Sequence, residues 1–168
     1  MIYETSWTDV ERKNNRMLRG YFGIGILNGK IIENIGTLWR SANIFGAAFI
    51  FTIGSRYKKQ ASDTMQTWRH IPLYHYETFE LFYNQLPYDC QLIGIELDEK
   101  SISIDNFIHP QRCIYLLGAE DSGLTNEALN KCHKIIQLPG NYCLNVSVAG
   151  SIVLFDRIQK LSKPDAGQ

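Results

Sequence analysis

Three stretches of this 168-residue chain hold polar side chains in spacings that chemistry can use. The first is Asn34-Ile35-Gly36-Thr37-Leu38-Trp39-Arg40-Ser41-Ala42-Asn43. Asn34 and Arg40 interrupt a pattern that is otherwise apolar, and an arginine offers a planar cation suited to a phosphate or a developing oxyanion. The second is Gly118-Ala119-Glu120-Asp121-Ser122-Gly123-Leu124, a turn framed by two glycines with two carboxylates inside it. Glycines there let the backbone come close to a ligand and offer it amide and carbonyl groups. The third is Leu138-Pro139-Gly140-Asn141-Tyr142-Cys143-Leu144-Asn145-Val146-Ser147-Val148-Ala149, where a turn follows an apolar run and Asn145 opens a helix. Each stretch also has a plain structural reading. Asn34 and Asn145 suit helix caps, Arg40 suits a surface, and acidic residues favour a helix N-terminus.

The elements that would position these residues follow from hydrophobic spacing. Tyr21–Leu27 reads as a buried strand despite two glycines, and 34–45 reads as a helix closing at Gly46. Further strands are expected at Ala48–Ile53, Gln91–Ile95, Cys113–Leu117 and Ile135–Leu138, with helices at 78–86, 125–132 and Val146–Leu161. Thr125 is the expected cap of the short helix. Strands apolar throughout, alternating with helices, imply a parallel sheet covered on both faces, whose ligands sit at the carboxyl ends of the strands. The loops after residues 27, 95, 117 and 138 are therefore the ones to inspect.

Length and composition point to one α/β domain, residues 21–161, preceded by an appendage (1–20) and followed by a tail (162–168). With 45% hydrophobic and 20% charged residues, the chain is unlike disordered or fibrous sequences. Its longest apolar run, Gly46–Ile53, is too short to cross a bilayer, and Met1–Val10 has no apolar signal segment, so a cytoplasmic location is expected. Cys90, Cys113, Cys132 and Cys143 have no CxxC spacing and read as small buried hydrophobes. Cys132-His133 alone does not make a metal site, and none is expected. Gly23, Gly25 and Gly29 lack dinucleotide-loop spacing, Lys30 has no phosphate loop before it, and the residue two before Ser122 is Glu120 rather than the glycine of a nucleophile elbow. His70, His75, His109 and His133 are scattered and read as surface or structural residues.

Formal net charge is 0, yet residues 1–70 hold ten Lys/Arg against five Asp/Glu, and residues 71–168 hold seven against twelve. A basic face can bind a polyanion even when the total charge is nil. Arg12, Arg16 and Arg19 would share one helical face, and Arg56, Lys58, Lys59 and Arg69 form a second basic cluster. These are candidate phosphate contacts to a polyanion, or else a solvated charged face.

In order and spacing the three stretches resemble the three motifs of the SpoU branch of the SPOUT superfamily, the RNA ribose 2′-O-methyltransferases. The pattern is Asn-x-Gly-x-x-x-Arg, then Gly-x-Glu-x-x-Gly-Leu, then a Pro-containing loop leading to Ser-Leu-Asn-x-Ser-x-Ala. Residues 21–160 are covered, with Cys143 where the family usually has Ser. The resemblance implies a mostly parallel sheet flanked by helices, with a deep C-terminal trefoil knot, a rare exception to the rule against knots. It implies S-adenosylmethionine as cofactor, held by Ile95, Leu117, Gly118, Leu138, Gly140, Cys143, Leu144 and Val146. Arg40 is then the residue that acts on the reacting ribose or its phosphate, with Glu120, Asn145 and Asn34 orienting it. No metal is needed, because the leaving group is a neutral thioether. A homodimer is implied, with RNA as substrate and a tRNA favoured over rRNA because no separate RNA-binding domain is evident. The apolar positions Val148, Ile152, Phe155 and Ile158 of the last helix are expected chiefly in the core, with a dimer contact as the other use. A second function class stays open, an RNA-binding domain of the same fold with altered catalysis.

Overall fold

The computed structural model describes residues 20–57, 69–140 and 142–161. Seven strands form one sheet: β1 (Tyr21–Leu27), β2 (Phe49–Ile53), β3 (Leu73–Tyr76), β4 (Gln91–Ile95), β5 (Ile102–Ser103), β6 (Arg112–Leu117) and β7 (Lys134–Gln137). Their order is β3-β2-β1-β6-β4-β7-β5, and every pairing is parallel. The helices are α1 (Ile32–Phe45), α2 (Phe79–Tyr83), α3 (Asn126–Lys131) and α4 (Val146–Leu161).

Parallel pairing requires a crossover between neighbours, and the helices supply apolar cover on both faces. Along β6, Cys113, Tyr115 and Leu117 face one layer while Ile114 and Leu116 face the other. On the first face, Leu38, Trp39 and Ala42 of α1 and Val153 and Leu154 of α4 pack on Ile24, Ile26, Ile50 and Ile93. On the second, Phe79 and Phe82 of α2 and Ala128 of α3 cover Phe51, Leu92 and Leu116. The glycines of β1 lie under aromatic rings. A Cβ on Gly23 would stand 2.5 Å from the Phe49 ring, which is why a strand with two glycines is still buried.

Four expectations change. Helix α1 starts at Ile32 with Ile31 as its N-cap, so Asn34 lies inside the first turn and does not cap it. The short edge strands β3 and β5 had no apolar signal, since edge strands need neither length nor two buried faces. The region expected helical at 78–86 is one turn at Phe79–Tyr83, begun where Thr78 accepts the Leu81 amide. On α4 the buried face is Val146, Ala149, Gly150, Val153, Leu154 and Arg157, whereas Val148, Ile152 and Phe155 are exposed. Helix α4 therefore turns a second apolar stripe outward. The cysteines divide as well: Cys90 and Cys113 are buried, Cys132 is half-buried, and Cys143 is exposed.

No helix among the described residues is long and apolar enough to cross a membrane. Among the same residues no group of three or more His, Cys, Asp or Glu is placed to hold a metal. Arg12, Arg16, Arg19, Lys58 and Lys59 lie outside the described residues.

Candidate active site

The carboxyl ends of β1, β4, β6 and β7 lie side by side in the sheet, so the loops that leave them gather at one edge. The loop after β6 folds back on itself. Ala119 and Gly123 exchange backbone hydrogen bonds of 3.2 and 2.9 Å. Gly123 closes this turn at φ 64°, a left-handed conformation that glycine adopts freely. A Cβ on Gly118 would lie 2.0 Å from the Gly123 carbonyl carbon, so only glycine allows the two backbones this close. Glu96, just past β4, accepts the Leu124 amide at 2.8 Å and the Leu97 amide at 3.0 Å, locking two neighbouring loops together.

Within that frame the three motif stretches meet. Asn34 is 6% exposed. Its Nδ2 donates to Glu120 Oε1 at 2.7 Å, and its Oδ1 accepts from Asn145 Nδ2 at 2.9 Å. Asn145 Oδ1 in turn accepts from the Ser147 amide at 3.0 Å and the Ser147 hydroxyl at 2.7 Å, capping α4. Glu120 also accepts the backbone amides of Lys30 at 3.0 Å and Ile31 at 3.3 Å, at the start of α1. The helix N-terminus carries partial positive charge, which favours a carboxylate there. Burial alone would raise the Glu120 carboxyl, but the Lys30 amide and the Asn34 side chain outweigh it and hold the group below its usual range. Beside it, Lys30 Nζ pairs with Asp121 and lowers that carboxyl too.

The roles differ from expectation at Arg40. Neither Glu120 nor Asn145 bonds it; both bond Asn34. Arg40 is exposed and pairs with no described residue. It stands six residues, about 9 Å, along α1 from Asn34. The physical reason is helical phase. Asn34 shares the inward side of α1 with Ile35 and Leu38, while Arg40 shares the outward side with Thr37 and Ile44.

Next to this cluster lies a cavity of about 490 Å³, a size that suits a nucleoside-bearing ligand. Seven of the eight residues expected at the cofactor line it: Ile95, Leu117, Gly118, Leu138, Cys143, Leu144 and Val146. Gly140 does not line it. Glu120 and Asn145 contribute to the wall, and Asn34 and Arg40 do not. Ile31, Glu96, Tyr142 and Ala149 also line the cavity; none was named at the cofactor from the sequence, although Tyr142 and Ala149 lie within the third stretch. Glu96 was the findable one, since it follows a strand whose loop was already under suspicion. Among the described residues the wall holds Glu96, Glu120 and Asp121 and no Lys, Arg or His. It therefore offers nothing to neutralise a phosphate and suits a ligand with an apolar ring system and a positive charge. Arg56, in the loop leaving the carboxyl end of β2, is exposed.

Fold and site together define a doubly covered parallel α/β domain whose binding cavity is built from loops at the strand carboxyl ends. The sequence profile of the SpoU rRNA Methylase family matches residues 24–155, and the chain belongs to that family. A 23S rRNA (guanosine-2′-O-)-methyltransferase of Acinetobacter baylyi is 33% identical over 69 residues, which is 39% of this chain and 28% of the relative. The chain thus spans under a third of the curated relative it matches. An AdoMet-bound rRNA methyltransferase from Sinorhizobium meliloti superposes with a TM-score of 0.74 at 22% identity, covering 84% of this chain and 59% of that one. The TrmH/SpoU tRNA modifying enzyme of A. aeolicus superposes at 0.76 and 18% identity, covering 95% and 91%. A protein described for 2-OH methylation of C/U34 on tRNA superposes at 0.75 and 19% identity, covering 86% and 98%.

Proposed function

We propose that the protein transfers a methyl group from S-adenosylmethionine to a ribose 2′-hydroxyl of RNA, with tRNA favoured over rRNA. The observation that carries this reading is the Glu120–Asn34–Asn145 relay standing against the cavity, because it unites all three family motifs at one wall. When bound, S-adenosylmethionine supplies an activated methyl on a sulfonium. The residues present suit it. Ile95, Leu117, Leu138 and Val146 give an apolar slot for a purine, Gly118 gives close backbone approach, and the acidic wall favours a cation over a phosphate ester.

A ribose hydroxyl is a very weak acid and must lose its proton as attack develops. A guanidinium is already protonated at neutral pH and cannot take that proton, which passes to solvent water, so Arg40 holds the substrate phosphate and the charge growing on the oxygen. Asn34, Glu120 and Asn145 keep the start of α1, the loop after β6 and the start of α4 in register. They are positioning residues for the cavity wall. The tRNA preference is supported by the C/U34 tRNA protein, which this chain covers over nearly its full length.

A homodimer belongs to the same reading. Val148, Ile152 and Phe155 of α4 and Ile44 of α1 are 38–62% exposed and adjoin one another through the Phe45–Phe155 ring contact. Water against such a stripe is costly, and a second copy would remove it. Arg40 lies one turn from Ile44, so the dimer would hold it at an interface edge. A threaded, knotted path through the last loops and a cytoplasmic location complete the proposal.

The decisive measurement is transfer of labelled methyl from S-adenosylmethionine to total RNA, followed by nucleoside mapping. A 2′-O-methylated nucleoside in the tRNA fraction is expected. Label on a base, or none, overturns the reading.

A further inference from the structure

The mouth of the cavity is apolar as well as acidic. Tyr142 is 87% exposed and lines it, and Ile31, Leu97 and Leu144 beside it are 45%, 48% and 45% exposed. Four exposed hydrophobic side chains around one opening are more than scattered surface apolarity; such a ring marks a contact surface. The charges there are of the wrong sign for a nucleic-acid backbone. Glu96, Glu120 and Asp121 line the opening, and the nearby Lys30 ammonium is already engaged by Asp121. A phosphate placed here would meet repulsion, whereas a nucleobase would meet a ring and aliphatic groups.

We infer that the cavity mouth recognises the substrate nucleotide through its base, unpaired and stacked on the Tyr142 ring, while the flanking phosphates are held elsewhere on the molecule. This rests on the methyltransferase reading and adds to it a substrate-positioning residue, one that lies in the third stretch just before the patterned Cys143-Leu144-Asn145-x-Ser147-x-Ala149. Stacking on an aromatic ring tolerates any base, because each has a π-face. It also requires that the target nucleotide be out of a helix, since a stacked and paired base has no free face. Tyr142 sits in the loop between β7 and α4, only three residues before Asn145. The ring is thus tethered to the relay that shapes the wall. Its high exposure leaves both sides of the ring open, which a side chain built for packing would not show.

The test uses the full chain, S-adenosylmethionine, and total RNA from cells lacking the gene. Methyl transfer is measured against RNA concentration for the wild type, Tyr142→Ala and Tyr142→Phe, and calorimetry gives cofactor affinity. Tyr142→Ala is expected to raise the KM for RNA five- to hundredfold, with kcat changed less than threefold and cofactor Kd less than twofold. Tyr142→Phe keeps the ring and is expected to stay within threefold of wild type in KM. An unchanged KM in Tyr142→Ala overturns the inference. So does an equal loss in Tyr142→Phe, which would assign the effect to the hydroxyl, or a matching loss of cofactor affinity, which would assign the ring to the cofactor. Absence of transfer by the wild type would sink the methyltransferase reading itself, and the inference with it.

Discussion

Asn34 and Asn145, 111 residues apart, are joined by a 2.9 Å hydrogen bond from Asn145 Nδ2 to Asn34 Oδ1. The bond fixes the orientation of both amides. Asn145 must turn its oxygen toward α4 to cap Ser147, so its nitrogen faces Asn34; Asn34 then turns its own nitrogen toward Glu120. A donor-to-acceptor order thus runs from the start of α4, across α1, to the loop after β6, with no acceptor facing an acceptor. Helix α4 is thereby tied to α1 by a polar contact at one end, by the 2.7 Å bond from Ser151 Oγ to Ser41 Oγ further along, and by apolar packing between and beyond them.

Breaking the relay at its centre leaves two partners unsatisfied. Asn34→Ala removes one donor and one acceptor from a buried position, a loss of about 2–3 kcal/mol by the usual worth of such bonds. Thermal unfolding should shift down by roughly 5–10 °C for a chain of this size. Cofactor affinity should fall with it, because Glu120 and Asn145 both stand in the cavity wall. Asn34→Asp should be worse than alanine, since it sets a carboxylate against Glu120. Differential scanning calorimetry and ligand titration check both variants.

Arg40 makes the opposite prediction. With no described partner to lose, Arg40→Ala should keep the melting temperature and the cofactor Kd near wild type. Single-turnover methyl transfer should nevertheless drop at least a hundredfold, more than about 2.7 kcal/mol of barrier. Arg40→Lys should not rescue it, because an ammonium lacks the planar fork. A rate within threefold of wild type would show Arg40 to be a surface residue.

Gly118→Ala tests the turn. The added methyl would lie 2.0 Å from the Gly123 carbonyl carbon and 2.3 Å from the Leu124 amide nitrogen, both backbone atoms without room to yield. The loop must open, and S-adenosylmethionine affinity should fall at least tenfold by calorimetry while the far-ultraviolet spectrum stays native.

The exposed stripe of α4 predicts assembly. Light scattering at micromolar concentration should give twice the chain mass of 19.3 kDa. Phe155→Glu should give the single-chain mass with an unchanged fold. A monomeric wild type would contradict the dimer.

A pH dependence follows from His109, which is buried between Tyr115 and Asp156. Burial lowers its pKa from 6.5 to about 4, against the opposing pull of the Asp156 carboxylate; Arg157 and Lys160 of α4 lower it further. The unfolded chain binds the proton between these values and the folded chain does not, so stability rises with pH across this window. Lowering the pH from 7 to 4 should therefore cost about 3 kcal/mol from this residue alone. Urea midpoints should flatten over that range in His109→Gln.

Much of this was legible in one dimension. The β1, β4, β6 and β7 runs are apolar at successive positions, which only a sheet covered on both faces tolerates, so parallel α/β architecture followed from the residues. Gly46 ends α1 at φ 78°, and Thr125 caps α3, both as their residue types require. The three motif stretches were recognisable because their spacing is local. Tertiary structure alone decided which partners they chose. Helix α4 has apolar residues on more than one side, so periodicity cannot say that Val153 and Leu154 go inward while Ile152 and Phe155 go outward. The position of α1 decides that. Nor can a sequence show that Arg157 is buried, since its charge is satisfied by the carbonyls of Pro110 and Gln111 and by the Phe22 ring, groups that lie beside it only after folding. The same holds for Glu120. Its acceptors' worth depends on amides 86 to 90 residues away, and hydrogen bonds act over 3 Å of space, whatever the separation along the chain.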